Sequence, residues 1–358
     1  MLQKKEIVLL GLHMGLGGAE RVFSELSNEW VNMGYKVTVI QARPNTGIKN
    51  YKINSSIELI DLKFPKNGLR RIKQTKELIN IMKNKKGAVV VAFMVQTQLL
   101  AALSSFFINN RIVCAERNDP ARNPSNRLLR FGRNLTYELA DICVFQTNEE
   151  KEYFSKRIQK KGYVIKNPLH PNLPKPFEGE KRKTVVAVAR LEEQKNLPLL
   201  INAFEEFSKK HSDYTLEIYG DGSLKNALND MIEKKGLKNK VKLMGFSMNV
   251  YSDINDCTMF VSSSNYEGIS NAMLEALGLG LPTICTDCPA GGARETIVNN
   301  KNGILIPVRD EESLVNAMTS IADNPGIAEE LSKNAIKIRD ELDVKRIAKQ
   351  WIEVMFNE

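Results

Sequence analysis

Six consecutive apolar residues, Ala88-Val89-Val90-Val91-Ala92-Phe93, give a strand built from them no polar face to turn to water. A strand of this kind has to be covered on both sides, as the strands of parallel sheets are. Strands are predicted in the first half of the chain at Glu6–Gly11, Lys36–Ile40, Ile57–Leu62, Ala88–Phe93, Arg111–Ala115, Ile142–Gln146 and Tyr163–Ile165. Helical patterns fall between them, for example Ala19–Met33 and Arg127–Ala140. Strand and helix in alternation predict an α/β fold with a doubly wound parallel sheet.

The alternation breaks once. Pro168, Pro171, Pro174 and Pro176 crowd one short segment that ends in Glu180-Lys181-Arg182-Lys183. Neither a helix interior nor a central strand accepts such a run, so 168–183 is read as a linker. Beyond it, strands are predicted at Val185–Ala189, Thr215–Tyr219, Val241–Met244, Thr258–Ser262, Pro282–Cys285 and Gly303–Ile306. The expected organisation is a first α/β domain at 1–167, a second at 184–343, and a closing helix at 344–358. That helix carries Ile347, Trp351, Val354 and Met355 at helical spacing and can pack on either domain, including back on the first. A length of 358 residues suits two domains of roughly 150 residues each.

The five cysteines are an odd, sparse set, and Cys285-x-x-Cys288 has neither a second pair nor a histidine nearby. They are read as reduced, packed thiols rather than a disulfide framework or a zinc site. No basic segment followed by an apolar core opens the chain, and no run of about 18 apolar residues occurs; a cytoplasmic protein is expected. Charge is uneven. Residues 1–170 hold 28 Lys+Arg against 14 Asp+Glu, whereas 171–358 hold 23 against 28. The first half therefore suits an anionic surface or substrate.

In open parallel sheets ligands bind beyond the carboxyl ends of the strands, which directs attention to the residues after each strand. Arg190 and Lys195 follow Val185–Ala189, and two cations there suit a diphosphate; equally, they can pair with Glu192 and Glu193 or face water. Gly220-Asp221-Gly222 is a tight turn into a helix. The most informative segment runs from Glu267 to Glu275. Between Gly268 and Thr286 the only charged side chain is Glu275, with no Lys or Arg three or four positions away. A carboxylate in so apolar a helix needs donors, and the vicinal hydroxyls of a ribose supply two; backbone amides of a neighbouring loop are the alternative. The backbone from Gly268 through Ile269 and Ser270 to Asn271 opens the helix, where phosphate or sugar oxygens bind readily. The loop Asp287–Glu295, also Gly-rich, either approaches the nucleotide or merely turns.

In the first half, Gly15-Leu16-Gly17-Gly18-Ala19-Glu20 follows the first strand. It departs from the dinucleotide fingerprint because Glu20 stands at the third glycine position, and Arg43 rather than an acid follows the second strand. Glu116-Arg117-Asn118-Asp119-Pro120 puts four polar groups at another strand end, as a site or as a capped turn. No histidine, His13 included, is placed as a general base.

Taken in order, Gly17-Gly18-Ala19-Glu20, Arg190…Lys195, Gly220-Asp221-Gly222 and the E-x₇-E pair Glu267 and Glu275 resemble the family-4 retaining glycosyltransferases of GT-B fold. The resemblance spans nearly the whole chain and is densest from Val185 to Ile297. It implies two Rossmann-like domains facing across a cleft, and a UDP-sugar donor used without a metal or other cofactor. It further implies that Arg190 and Lys195 hold the donor diphosphate, that Glu267 contacts the sugar, and that Gly268 to Asn271 contact sugar and phosphate. Glu275 would grip the ribose, and Gly17 and Gly18 would let the first domain close over the phosphate. Many relatives carry a histidine where this chain reads Arg117. Bacterial members extend polyprenyl-diphosphate saccharides for capsule or other surface glycans, which implies a lipid-linked acceptor and a peripheral place on the inner face of the membrane. Residues 66–86 fit that partner: eight cations, among them Arg70, Arg71 and Lys73, stand against one acid with apolar residues between. They are read as an amphipathic helix for an anionic membrane or the acceptor diphosphate, with Glu116 and Arg117 as further acceptor-side residues. The alternatives are a nucleotide-sugar epimerase of the same fold and a non-catalytic basic membrane-surface module. Nucleic acid is not an expected partner, because aromatics are few and no stacking motif is present.

Overall fold

Every strand pairing among the described residues is parallel, so each strand is joined to the next by a crossover rather than a hairpin. The computed structural model describes residues 5–15, 17–43, 51–63 and 70–357. The chain divides into two compact units, Met1–Pro168 with Leu342–Glu358, and Leu169–Glu341.

The first unit runs β1 (Glu6–Gly11), α1 (Gly18–Asn32), β2 (Lys36–Gln41), β3 (Glu58–Asp61), α2 (Arg70–Lys83), β4 (Val89–Phe93), α3 (Val95–Ser105), β5 (Ile112–Ala115), α4 (Arg127–Leu139), β6 (Ile142–Phe145), α5 (Asn148–Glu152), α6 (Lys156–Lys160) and β7 (Gly162–Val164). Its sheet has the order β3-β2-β1-β4-β5-β6-β7. All five residues of β4 are buried, as a continuous apolar run requires. The second unit runs β8 (Arg182–Val188), α7 (Leu197–Lys210), β9 (Thr215–Tyr219), α8 (Lys225–Lys234), β10 (Val241–Gly245), α9 (Val250–Ile254), β11 (Cys257–Ser262), α10 (Asn271–Gly278), β12 (Thr283–Thr286), β13 (Ile304–Ile306), α11 (Glu311–Asp323), α12 (Pro325–Ala335) and α13 (Ile338–Glu341). Its order, β10-β9-β8-β11-β12-β13, is the doubly wound one. In each unit the first strand has its next two on one side and its fourth on the other.

The proline-rich segment departs from a free linker. Leu169 and Leu173 are buried. Arg339 donates to the carbonyls of Pro174 (2.8 Å), Leu173 (2.9 Å) and Gly278 (2.8 Å). These contacts strap the segment to the second unit. β8 also starts at Arg182, three residues before the predicted Val185, because the Arg182 guanidinium bonds Glu217 (2.9 Å) and Asp256 (3.0 Å) on flanking segments.

The last helix, α14 (Val344–Phe356), belongs to the first unit. Asp343 caps it, accepting from the Lys345 and Arg346 amides. Trp351 is fully buried, edge-on to Trp30 and stacked on Phe93. The Trp30 indole N–H donates to the Ala348 carbonyl (3.1 Å), and α1 packs along α14. Replacing Trp351 with Ala removes a buried aromatic from between two others. It should destabilise the first unit by about 3–5 kcal/mol, read as a lower denaturant midpoint with the second unit's transition unchanged.

Lys85, one of the eight cations of 66–86, turns inward instead of lying on a basic helix face. Its ammonium bonds Glu6 (2.8 Å), Thr38 (2.9 Å) and Glu58 (2.6 Å) at the amino ends of β1, β2 and β3. Burial alone would raise the Glu6 carboxyl, but the bonds from Lys85 and Lys36 outweigh it and hold it below its ordinary 4.5. The Lys85 bond likewise holds Glu58 below 4.5. Burial works to lower Lys85, and the two carboxylates more than reverse this, raising it above 10.5. Carboxyls lowered by folding stabilise it above their unfolded values, and that contribution is lost on acidification. Stability of the first unit should therefore fall as pH drops below about 4.5, and Lys85→Met should flatten this acid limb in urea titrations taken across pH.

Candidate active site

The order reversal beside β8 opens a crevice at its carboxyl end, because the crossover to β9 leaves on one side and β11 arrives on the other. Ala187, Val188, Ala189, Lys195, Leu197 and the run Val261–Ser264 line it. Four of the residues singled out for the donor reside on segments around this point of the second unit: Arg190 after β8, Lys195 in a single 3-10 turn at Glu193–Lys195, Glu267 in the loop after β11, and Glu275 in α10.

The loop bearing Arg190 is laced to the turn after β9. Ala189 N–H donates to the Tyr219 carbonyl (2.9 Å), Leu191 N–H to that of Asp221 (2.9 Å), and Leu224 N–H to that of Leu191 (2.9 Å). Gly220 makes this approach feasible. It sits at φ +135°, and a Cβ there would fall 1.9 Å from the Ala189 oxygen. Its role in the structure is thus to let the two strand-end loops close on each other beneath Arg190.

Lys195 does not pair with Glu192 or Glu193. Its ammonium bonds the Glu267 carboxylate, while Glu192 accepts from the Ser223 hydroxyl (2.8 Å). Gln194, which sequence reasoning missed, ties the group together. Its amide oxygen accepts from Arg190 (3.2 Å) and its amide nitrogen donates to the Tyr266 carbonyl (3.0 Å) and toward Glu267 (3.5 Å). Ser264 also donates to Glu267 (3.3 Å). Asn265 locks the two loops further: its N–H donates to the Gln194 carbonyl (2.8 Å) and its amide to that of Glu193 (3.0 Å). Lys195 and Glu267 are both mostly buried, with 12% and 19% of their side chains exposed, whereas Arg190 is exposed. The arrangement sets one solvent-facing cation and one held ammonium at a strand end, beside a carboxylate fixed by several donors.

Glu275 is 4% exposed in an α10 whose other inner residues, Met273, Leu274, Ala276 and Leu277, are all buried. The loop after β12 comes down on the start of this helix. A Cβ at Gly292 would lie 1.8 Å from the Gly268 oxygen and 2.9 Å from the Ile269 amide nitrogen. The Gly-rich loop therefore sits directly on the Gly268–Asn271 backbone that leads through Ser270 into α10. Cys285 and Cys288 are free and buried; burial pushes both thiols up, Cys288 to about 12, so neither is a thiolate. Among the described residues no three His, Cys, Asp or Glu side chains gather as a metal group.

The first unit has its own strand-end features. Gly17 precedes and Gly18 opens α1, at the carboxyl end of β1 where that sheet reverses order. Glu116 is not an exposed acceptor contact. It is 4% exposed and bonded to Arg133 (3.3 Å), and burial raises its carboxyl. Arg117 lies over the rings of Phe93 (4.4 Å) and Trp351 (5.2 Å) and donates to Asn167 (3.0 Å). Burial brings its guanidinium down to about 10. Glu150, also missed, is fully buried near Arg117, its carboxylate accepting from the Gln146 amide (2.7 Å), and burial drives it well up. Thr147-x-x-Glu150, a capping-box spacing, was the available signal. Arg70 and Arg71, with Arg43, line a cavity of about 150 Å³ whose apolar walls include Leu12, Leu99 and Leu103. Lys73 is exposed on α2. Residues 66–69 of the predicted basic helix lie outside the described residues.

Two families match along the chain, Glycosyltransferase Family 4 at residues 16–173 and Glycosyl transferases group 1 at residues 171–338. The chain belongs to the glycosyltransferases. This glycosyltransferase is 27% identical over 374 residues to a Campylobacter jejuni protein, covering 99% of this chain and 100% of that one. That relative is the N-acetylgalactosamine-N,N'-diacetylbacillosaminyl-diphospho-undecaprenol 4-alpha-N-acetylgalactosaminyltransferase. The present chain is also 25% identical over 363 residues to the amylovoran biosynthesis glycosyltransferase AmsD of Erwinia amylovora, covering 98% of this chain and 99% of that one. Among solved structures, Anabaena Alr3699/HepE in complex with UDP and glucose superposes with a TM-score of 0.83 at 18% identity, over 99% of this chain and 100% of that one. The shared fold is GT-B, with two Rossmann-like α/β units in one chain.

The contact between Gly292 and Gly268 gives a local test. Gly292→Ala forces the two loops apart and should lower the stability of the second unit by about 1–3 kcal/mol. It should also weaken UDP binding measured calorimetrically, while Gly326→Ala, where a Cβ meets open space, should leave UDP binding unchanged.

Proposed function

We propose that this glycosyltransferase moves a hexose or N-acetylhexosamine from a UDP-sugar to a lipid-linked, polyprenyl-diphosphate saccharide during bacterial surface-glycan assembly. The observation that carries the reading is the Arg190–Gln194–Glu267–Lys195 cluster at the β8 switch point. It offers two cations to a diphosphate and a fixed carboxylate to the adjoining sugar. UDP bound in the Anabaena neighbour and the diphospho-undecaprenol acceptor named for the Campylobacter relative support the donor and acceptor classes.

In this reading Arg190 and Lys195 neutralise the charge that builds on the departing UDP, which is the electrostatic contribution that dominates such transfers, without a divalent ion. Diphosphate binding draws Lys195 partly away from Glu267, freeing a carboxylate oxygen for the sugar hydroxyls. Glu275 takes the ribose hydroxyls, and the Gly268–Asn271 backbone takes sugar and phosphate oxygens. Transfer proceeds with retention, the acceptor oxygen approaching on the face that UDP leaves and passing its proton to the donor phosphate. Arg43, Arg70 and Arg71 around their apolar cavity suit a diphosphate carrying a hydrocarbon chain, and the acceptor places the enzyme at the inner membrane surface.

Lys195→Ala and Glu267→Ala should each lower kcat by about 100-fold or more with unchanged circular dichroism. The assay supplies a panel of UDP-sugars with a polyprenyl-diphosphate disaccharide and separates anomers of the product by NMR. Wild-type turnover in both variants would remove the proposed site, and an inverted product would remove the retaining course.

A further inference from the structure

Helix α4 is turned with its apolar side outward. Its buried residues are Arg133, Thr136 and Tyr137, while Leu128, Phe131, Leu135 and Leu139 are 79%, 64%, 51% and 45% exposed. At 100° per residue these four fall within one stripe about 80° wide. The inversion has a local cause. The Arg133 guanidinium satisfies the carbonyls of Pro120 (2.9 Å) and Asn123 (2.7 Å) and pairs with Glu116. Tyr137 stacks on Phe145 and Phe154 and receives a bond from Gln98 of α3 (3.1 Å). With the polar side locked inward, the leucines have nowhere to go but out.

The neighbouring helix adds exposed apolar side chains. α3 packs on α4 and on α2, and its carboxyl end shows Phe106 and Phe107 at 66% and 68% exposure. On the far side of α3, α2 buries Gln74, Leu78 and Met82, which turns Lys73, Lys76 and Lys83 to solvent, all exposed. Right-handed crossovers from β3, β4 and β5 put these three helices on one face of the sheet. An apolar strip thus lies beside a basic one.

We infer that the α3–α4 face inserts its apolar side chains into the interfacial region of an anionic lipid bilayer, with the α2 lysines over the headgroups. This deepens the peripheral-membrane reading above, on which it rests, and moves the main apolar contact from α2 to α4. Charge selects the occupant. An isologous pair of copies would bring these lysines, within a half-chain of 28 cations and 14 acids, against one another. Anionic headgroups beside a hydrocarbon layer satisfy both strips at once.

The test uses the full chain in co-sedimentation with phosphatidylcholine vesicles and with vesicles containing a quarter phosphatidylglycerol. Wild type should bind the anionic vesicles. Phe131→Asp with Leu135→Asp should weaken partition by at least about tenfold, and Lys73→Glu with Lys76→Glu and Lys83→Glu should abolish the preference for anionic lipid. Transfer to a short-chain, water-soluble acceptor analogue should be unchanged in the α4 variant, so loss of membrane docking is read apart from loss of the transferase site. Wild type that ignores vesicles, or an α4 variant that partitions like wild type, overturns the inference. So does a wild-type dimer in light scattering that the α4 variant splits without any vesicle binding.

Discussion

A parallel strand whose two neighbours are reached by crossovers leaving in opposite directions has a gap at its carboxyl end that neither connection covers. Both β1 and β8 are such strands, because right-handed connections fill one side of the sheet before the chain jumps to the other. Everything proposed for the donor site follows from the gap at β8. The loops after β8, β9, β11 and β12 converge around it, and Gly220 and Gly292 allow them to close to backbone distance.

Within that gap the polar groups are arranged so that none depends on a ligand for its partner. Lys195 has Glu267, Glu267 has Ser264 and Gln194, and Gln194 has Arg190. A mostly buried ammonium and carboxylate left apart would each carry a desolvation penalty; together they hold the site in shape before any substrate arrives. Preorganisation of this kind limits how much the groups must rearrange when charge develops on a leaving group. It also places Gln194, a neutral amide, as the joint between the solvent-facing cation and the buried pair.

Each of the thirteen predicted strands has a counterpart among the described residues within a few positions, most sharply where a fully buried strand such as β4 must be written as a continuous apolar run. What the sequence withholds is long-range. Lys195 and Glu267 are 72 positions apart, and nothing near either names the other. Gln194 has the look of any polar turn residue. Arg182 joins its strand only because Glu217 and Asp256 are across from it. The amphipathic pattern of α4 is plain in the sequence, but which side faces inward is decided by Arg133 finding carbonyls at 120 and 123, and no periodicity carries that.

The return of α14 to the first unit has a bearing on biosynthesis. A ribosome delivers residues 1–168 first, yet the slot between Trp30 and Phe93 stays empty until Trp351 has been made. The whole of the second unit emerges in the interval and is free to fold as it does so. The unit that is begun earlier is consequently the later to be completed, and a chain stalled or cleaved before Trp351 presents an unfinished first unit to the quality-control machinery.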